Sequence, residues 1–522
     1  MLTAVAQERL AQARENDALL WSEILQEPRV AESIVRVWTS SEYVANACVR
    51  HPQMLADLVR SGQLCASAEP QQIENDVRTI DAAQDEQEVM AQLRRLRRRH
   101  LVRIAWRDIA GWASLDETLR DVSELADACI RFAYEYAYAA CVRRYGTPRG
   151  AETGAEQPLI ILAMGKLGGG ELNYSSDIDL VLLYPEEGET DGARSVDNAE
   201  FFLRVAQKTV QLLATPTVDG FVYRVDLRLR PFGDSGRVAL SIPSFEHYLQ
   251  QHGRDWERYA YVKARPLTGL EYFDDLYNEV IRPFVYRRYL DFGVFESLRD
   301  MKAMIAREVE RRELRDNIKL GPGGIREIEF IVQAFQLIRG GSDRRLQSRS
   351  LREVLPLLVG KRLLRQEAVT ELEEAYRFLR LVENRLQEWN DEQTHQLPED
   401  PQARERLAYA VGCASWKELE GQLEMHRGRV SKHFAQTIFG PVSDADANTS
   451  RALELDLESS PEDRERALLT FGFADAADIA AQLDHLAASA YFRRQDETGR
   501  RRLRELLPKL LSAIAPARTP SV

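Results

Sequence analysis

Cysteine, histidine and positive charge are all in short supply in this sequence, and each shortage removes a class of function. Its 522 residues include five cysteines and eight histidines. Cys48, Cys65, Cys129, Cys141 and Cys413 form no C-x-x-C pair and have no histidine partner at zinc spacing. That excludes a zinc ribbon or a disulfide framework and leaves reduced thiols, many of them small buried hydrophobes. The histidines make no triad or metal cluster, so none receives a role. A formal net charge of −12 argues against a general nucleic-acid binder, because counterion release rewards basic surfaces; a local basic groove stays open. No apolar run approaches a membrane span, and Met1 to Arg14 carry charge where a signal peptide needs an apolar core. The expected compartment is the cytoplasm, with neither nucleic acid nor membrane as partner.

What is present is an ordinary globular composition, 44% hydrophobic and 29% charged, long enough for three or four domains. Residues 1–146 are rich in Ala, Leu, Glu and Arg and predict a helical N-terminal region. The run Leu93 to Arg99 reads as a solvated helix face rather than a nucleic-acid patch. Pro148, Gly150 and Gly154 mark a boundary, and residues 147–270 change character. Leu159 to Met164 and Ile178 to Tyr184 predict buried strands, Asn198 to Ala214 a helix, and Phe221 to Arg230 an alternating strand. On that strand Val222, Arg224, Asp226, Arg228 and Arg230 share one face. The expected fold class is α+β and mostly helical: a small mixed sheet with helices, flanked by helical regions. Residues 271–440 predict a helical bundle whose seam runs Leu372, Ala375, Leu379, Val382, Leu386 and Trp389. Residues 441–522 predict an acidic linker, Val442 to Pro461, then the start of a further helical region with a frayed tail, Ala515 to Val522.

The chemistry concentrates in Gly165 to Asp179. Asp177 and Asp179 are two apart, so in a strand both project from one face. Adjacent carboxylates repel unless a cation lies between them, and an oxygen-only site that handles phosphates favours Mg²⁺. Asp226 supplies a third acid, and three carboxylates can hold one or two such cations. Taken alone, an Asp-x-Asp is also what a solvated strand end looks like. The preceding glycines, the following apolar strand and the later acid together favour a site for nucleotidyl or phosphoryl transfer. Gly165, Lys166, Gly168 and Gly169, with Ser175 and Ser176, are candidates to hold nucleotide phosphates. The segment is not a P-loop, because Leu167 follows Lys166, and it reads as readily as a surface loop. Arg224, Arg228 and Arg230 suit a phosphate-binding cleft or a salt-bridged exposed face. Arg254 to Arg265 offers cations and Trp256, or equally a helix cap and a core tryptophan. Lys319 and Arg326 flank a glycine turn before a helix whose N-terminus would attract an anion, or else an ordinary loop between packed helices.

The stretches Met164 to Asp179, Asp219 to Gly233, Gly253 to Tyr259 and Gly324 to Phe330 together resemble the bifunctional glutamine synthetase adenylyltransferase/adenylyl-removing enzymes, within the nucleotidyltransferase superfamily of DNA polymerase beta. The resemblance extends to about residue 440. It implies a polymerase beta-like module with Asp177, Asp179 and Asp226 as the catalytic, Mg²⁺-binding acids. Members of this family carry two modules in tandem: the first removes AMP from a tyrosine of glutamine synthetase by phosphorolysis, giving ADP, and the second attaches AMP from ATP. With one Asp-x-Asp module after a helical region, this chain is expected to be the N-terminal, adenylyl-removing half. Implied partners are adenylylated glutamine synthetase, phosphate and ADP, and the PII signal protein in its uridylylated form. The alternatives are adenylyl transfer from ATP onto glutamine synthetase, or a nucleotidyltransferase for another protein or a small molecule.

Overall fold

The computed structural model describes residues 2–287, 316–361, 363–439, 461–471, 473 and 475–489. The chain divides into two compact units, Met1–Ile438 and Phe439–Val522. Among the described residues of the second unit, helices Pro461–Phe471 and Ala476–Ala488 bury Leu468, Ala480 and Leu483. The tail Ala515 to Val522 and the acidic stretch before Pro461 lie outside the described residues.

The first unit is α+β and mostly helical, as the composition predicts. Its strands are β1 (Pro148–Gly150), β2 (Ile160–Ala163), β3 (Ile178–Tyr184), β4 (Gly188–Thr190), β5 (Val225–Asp226), β6 (Ala239–Ser241) and β7 (Arg265–Pro266). β1 and β4 form an antiparallel ribbon. In the main sheet, antiparallel β2 separates β3 from β7, and the other edge of β3 is shared. β5 pairs parallel with Ile178 and Asp179, and β6 pairs parallel with Leu182 to Tyr184.

A strand buried on both faces needs a layer on each side. Ile161 and Ala163 of β2, with Ile178, Leu180, Leu182 and Tyr184 of β3, face one core. That core is built from the N-terminal helices and helix Asn198–Ala214, which Asp197 caps by accepting from the Glu200 N–H. Ile160, Leu162, Val181 and Leu183 face the other core, shared with helices Ile325–Arg339 and Gln366–Glu388. Each such side chain, fully buried, contributes about 1.5–3 kcal/mol of burial free energy. By the two-residue period, Asp177 and Asp179 project toward this second layer.

Two sequence expectations need correction. The strand expected over Phe221 to Arg230 is only Val225–Asp226. Upstream, the Val222 and Tyr223 N–H groups both donate to the Leu213 carbonyl, and both side chains are buried, so the alternation of faces fails. Downstream, β6 occupies the rest of the β3 edge and the chain turns away. Nor is the arginine run a solvated face. Arg94 and Arg97 are buried: Arg94 donates to the carbonyls of Leu212, Thr215 and Gly220, and Arg97 makes a bidentate pair with Asp391. The helix end at Ala214 supplies orphan carbonyls that a guanidinium can satisfy.

Candidate active site

The parallel register of β3 and β5 places Asp179 opposite Asp226, on neighbouring strands and one face. Asp177 lies one pleat before Asp179, so three carboxylates gather at the end of β3. Their mutual repulsion is visible in Asp179. Burial, first, and then the charges of Asp226 and Asp177 raise its carboxyl to about 6. The left-handed turn at Gly165 (φ +54°) brings its backbone against this carboxylate; a Cβ there would lie 2.5 Å from Asp179 Oδ2.

The arginines divide between the acids. Arg224 Nε donates to Asp177 Oδ1 at 2.8 Å, and its Nη2 donates to Ser175 Oγ at 3.1 Å. Arg228 Nε donates to Asp226 Oδ2 at 2.9 Å, which is the leading cause of a lowered Asp226 carboxyl. Arg228 is otherwise exposed. Arg230 does not join them. Its guanidinium donates to the carbonyls of Leu227, Asp234 and Gly236 and fastens the turn that follows β5.

Lys319 adds a positive charge that reaches both Asp179 and the buried Glu329. Its charge lowers Asp179 against the larger opposing effects. Asn317 Oδ1 accepts from the backbone N–H groups of Lys319 and Leu320 and fixes the turn that carries it. Arg326 is engaged elsewhere, 6.0 Å from the centroid of the Phe330 ring. The helix N-terminus expected to attract an anion is closed: the N–H groups of Ile325 and Arg326 donate to the carbonyls of Ile318 and Lys319. Farther along, Trp256 is half exposed rather than a core tryptophan, while the Glu257 carboxylate caps the start of its helix by accepting from the Arg254 N–H at 2.8 Å.

The glycine-rich segment also differs from expectation. Gly165–Gly168 is one helical turn, and Lys166 points into a buried network. Its ammonium lies 2.8 Å from Glu383 and donates to Asn173 at 2.5 Å. Burial lowers it to about 7 against the pull of Glu383. The N–H of Ser175 donates to Gln387 at 2.9 Å, so that group is not free for a phosphate, and Ser176 is buried. Gly168 is there for space. A Cβ would lie 2.0 Å from the Lys263 carbonyl oxygen, and Gly169 approaches the Arg349 carbonyl less closely. Gly168→Ala is expected to cost about 1–3 kcal/mol by overpacking, read as a lower urea midpoint; an unchanged midpoint would mean that the backbone there has room to give.

Among the described residues no three His, Cys, Asp or Glu side chains stand ready to hold a metal ion, and Arg224 and Arg228 are paired with two of the acids. The donor set nevertheless suits Mg²⁺: three carboxylates, oxygen only, and one of them raised by burial and by the charges of the other two. A cation there would take the place of two guanidinium contacts.

Sequence reasoning missed Glu383, Asn384 and Gln387, which reach the glycine-rich segment from another helix. The signal that could have found them is a polar stripe at helical spacing, Arg380, Glu383, Asn384 and Gln387, beside the apolar seam of the same helix.

Residues 31–278 match the family model described as glutamate-ammonia ligase adenylyltransferase, and residues 299–438 match that described as GlnD PII-uridylyltransferase. The chain is similar to bifunctional glutamine synthetase adenylyltransferase/adenylyl-removing enzymes. It is 45% identical to that of Thioalkalivibrio sulfidiphilus, over 94% of this chain and 51% of the relative. It is 44% identical to that of Nitrosococcus oceani, over 99% and 55%, and 44% identical to that of Pseudomonas putida, over 95% and 51%. The chain thus spans about half the length of the curated relatives it matches. No helix among the described residues is long and apolar enough to cross a membrane.

Proposed function

We propose, for a chain that belongs to the glutamate-ammonia ligase adenylyltransferase family, that this site removes AMP from an adenylylated tyrosine of glutamine synthetase by phosphorolysis. The observation that carries the proposal is the face shared by Asp177, Asp179 and Asp226, with the Lys319 charge acting on it. In the reaction an oxygen of hydrogen phosphate attacks the α-phosphorus of tyrosyl-AMP. The new P–O bond completes ADP, the bond to the tyrosine oxygen breaks, and the proton of hydrogen phosphate ends on that oxygen. A phenol with pKa about 10 leaves more readily than an alkyl alcohol.

Two anions must be held at once. Lys319, whose charge reaches Asp179, would help to hold one of them. Arg224 and Arg228 can turn from the acids to phosphate oxygens when the acids take up Mg²⁺. Asp177, Asp179 and Asp226 would hold that ion, which when bound supplies Lewis-acid charge neutralisation at the phosphoryl oxygens. Lys166 serves the site from behind, by fixing the segment that leads to Asp177. The match of residues 299–438 to a PII-uridylyltransferase model, together with the family, supports the PII protein as the regulatory partner, in its uridylylated form.

Incubation with adenylylated glutamine synthetase and Mg²⁺, with and without phosphate, tests this reading. ADP should form, and only when phosphate is present. AMP released without phosphate would make the chain a hydrolase. Transfer of AMP from ATP onto unmodified glutamine synthetase, with no ADP from the modified form, would favour the adenylyltransferase reading instead.

A further inference from the structure

One face of the helix Gln366–Glu388 is bound residue by residue to the segment that delivers Asp177. Arg380 Nη2 donates to the Glu171 carbonyl at 2.5 Å, and the Tyr376 hydroxyl donates to the Glu171 carboxylate at 3.2 Å. Glu383 accepts from Asn173 Nδ2 at 2.5 Å and pairs with Lys166, while His395 Nδ1 lies 2.8 Å away. Asn384 Oδ1 accepts from Asn173 Nδ2 and from the Tyr174 N–H. Gln387 Oε1 accepts from the Ser175 N–H. The helix positions 376, 380, 383, 384 and 387 fall on one stripe, and the segment they hold runs 171, 173, 174 and 175, ending two residues before Asp177.

This segment has no regular structure of its own between Gly170 and β3. Its polar groups are buried, so they must find partners within the protein. The helix supplies them. Glu383 is fully buried and held ionised by Lys166, His395 and Arg380 against its own desolvation. A buried carboxylate with that many partners fixes geometry more firmly than an apolar contact does.

We propose that Glu383 and Gln387 are positioning residues, which splint Glu171 to Ser175 so that Asp177 and Asp179 meet Asp226 in reacting geometry. Neither touches the acids. Each acts through the segment: Glu383 through Asn173 within it and through Lys166 just before it, Gln387 through the backbone of Ser175. The catalytic geometry is therefore set by a helix some two hundred residues downstream of the acids. The assignment rests on the acids being the reactive site, as argued above.

The test uses the full chain with Gln387→Leu, Gln387→Glu and Glu383→Gln. Gln387→Leu removes the acceptor for Ser175, and Gln387→Glu keeps an oxygen in its place. Hydrogen–deuterium exchange of a peptide covering Glu171 to Asp177 should rise about tenfold in Gln387→Leu and Glu383→Gln, while helix Asn198–Ala214 exchanges as before. Turnover with adenylylated glutamine synthetase should fall about tenfold with KM within about twofold, since reacting geometry rather than substrate contact is lost. Gln387→Glu should restore most of both. If Glu383→Gln loosens the whole unit, the uncharged Gln387→Leu decides. Unchanged exchange in Gln387→Leu overturns the splint whatever the activity, and raised exchange with full turnover overturns the positioning role. A wild-type chain without phosphorolysis would defeat the functional reading, and segment exchange would still judge the splint.

Discussion

Asp179→Asn is expected to lower turnover about a thousandfold while making the metal-free protein more stable. The loss is about 4 kcal/mol of transition-state stabilisation, the scale of removing one ligand charge from a site that neutralises phosphoryl oxygens. The gain comes from the same cause. Asp179 is held on β3 opposite Asp226 and one pleat from Asp177, and burial first, then those charges, raise its carboxyl from 3.8 to about 6. As the pH rises, the unfolded chain gives up this proton first. The stability from the protonated group is fully present below about 3.8 and is lost as the pH passes through about 6. At neutral pH the ionised group therefore costs the fold up to about 3 kcal/mol.

Asparagine keeps the shape without that cost. In chelator at pH 7.5 the urea midpoint of Asp179→Asn should exceed that of the wild type, and the difference should vanish at pH 4. Mg²⁺ should raise the wild-type midpoint by mass action and leave the variant where it was. Turnover within tenfold of wild type would remove Asp179 from the site, and a lower midpoint in chelator would show that the ionised carboxyl carries no such cost.

How much of this was legible in the sequence depends on how local the cause is. Helix Asn198–Ala214 and strand β3 end where apolar periodicity places them, because that signal lies within a few residues. The shared face of Asp177 and Asp179 is equally local. Their meeting with Asp226 depends on strand register across some fifty residues, and only the type of residue hinted at it. The strand expected beyond Asp226 fails because β6 has taken that edge of β3, a competition invisible to alternation. Arg94 and Arg97 looked like solvent-facing charge because the carbonyls and the carboxylate that bury them arrive from residues 212–220 and from Asp391. Lys166 looked free for a phosphate for the same reason, since Glu383 is remote in sequence. Apolar patterning reports which face is buried; it says little of a polar face whose partners are supplied by distant chain.

The polar face of helix Gln366–Glu388 has a second anchorage, and breaking it should give the largest loss of stability. Arg385 is buried between Asp108, which it meets at 2.7 Å, and Glu388 at 2.6 Å. It ties this helix to the end of Glu86–Ile109, where its Nη2 also donates to the Asp108 carbonyl. Two acids share one guanidinium. Burial, with Asp108 close by, pushes Glu388 well above the carboxylate range, which favours a neutral Glu388 and leaves Asp108 as the acid that balances Arg385. Arg385→Met leaves Asp108 buried, charged and unpaired, and should cost about 3–5 kcal/mol in urea unfolding of the first unit. Adding Asp108→Leu removes the stranded charge and should recover most of that loss. Glu388→Gln preserves a neutral hydrogen-bonding group and should fall within about 1 kcal/mol of wild type. A Glu388→Gln cost as large as that of Arg385→Met would show that Glu388 is ionised and that the clamp is a charged triad. A single Arg385→Met variant as stable as wild type would show that Asp108 takes up a proton or reaches water at little cost, and that the anchorage is packing alone.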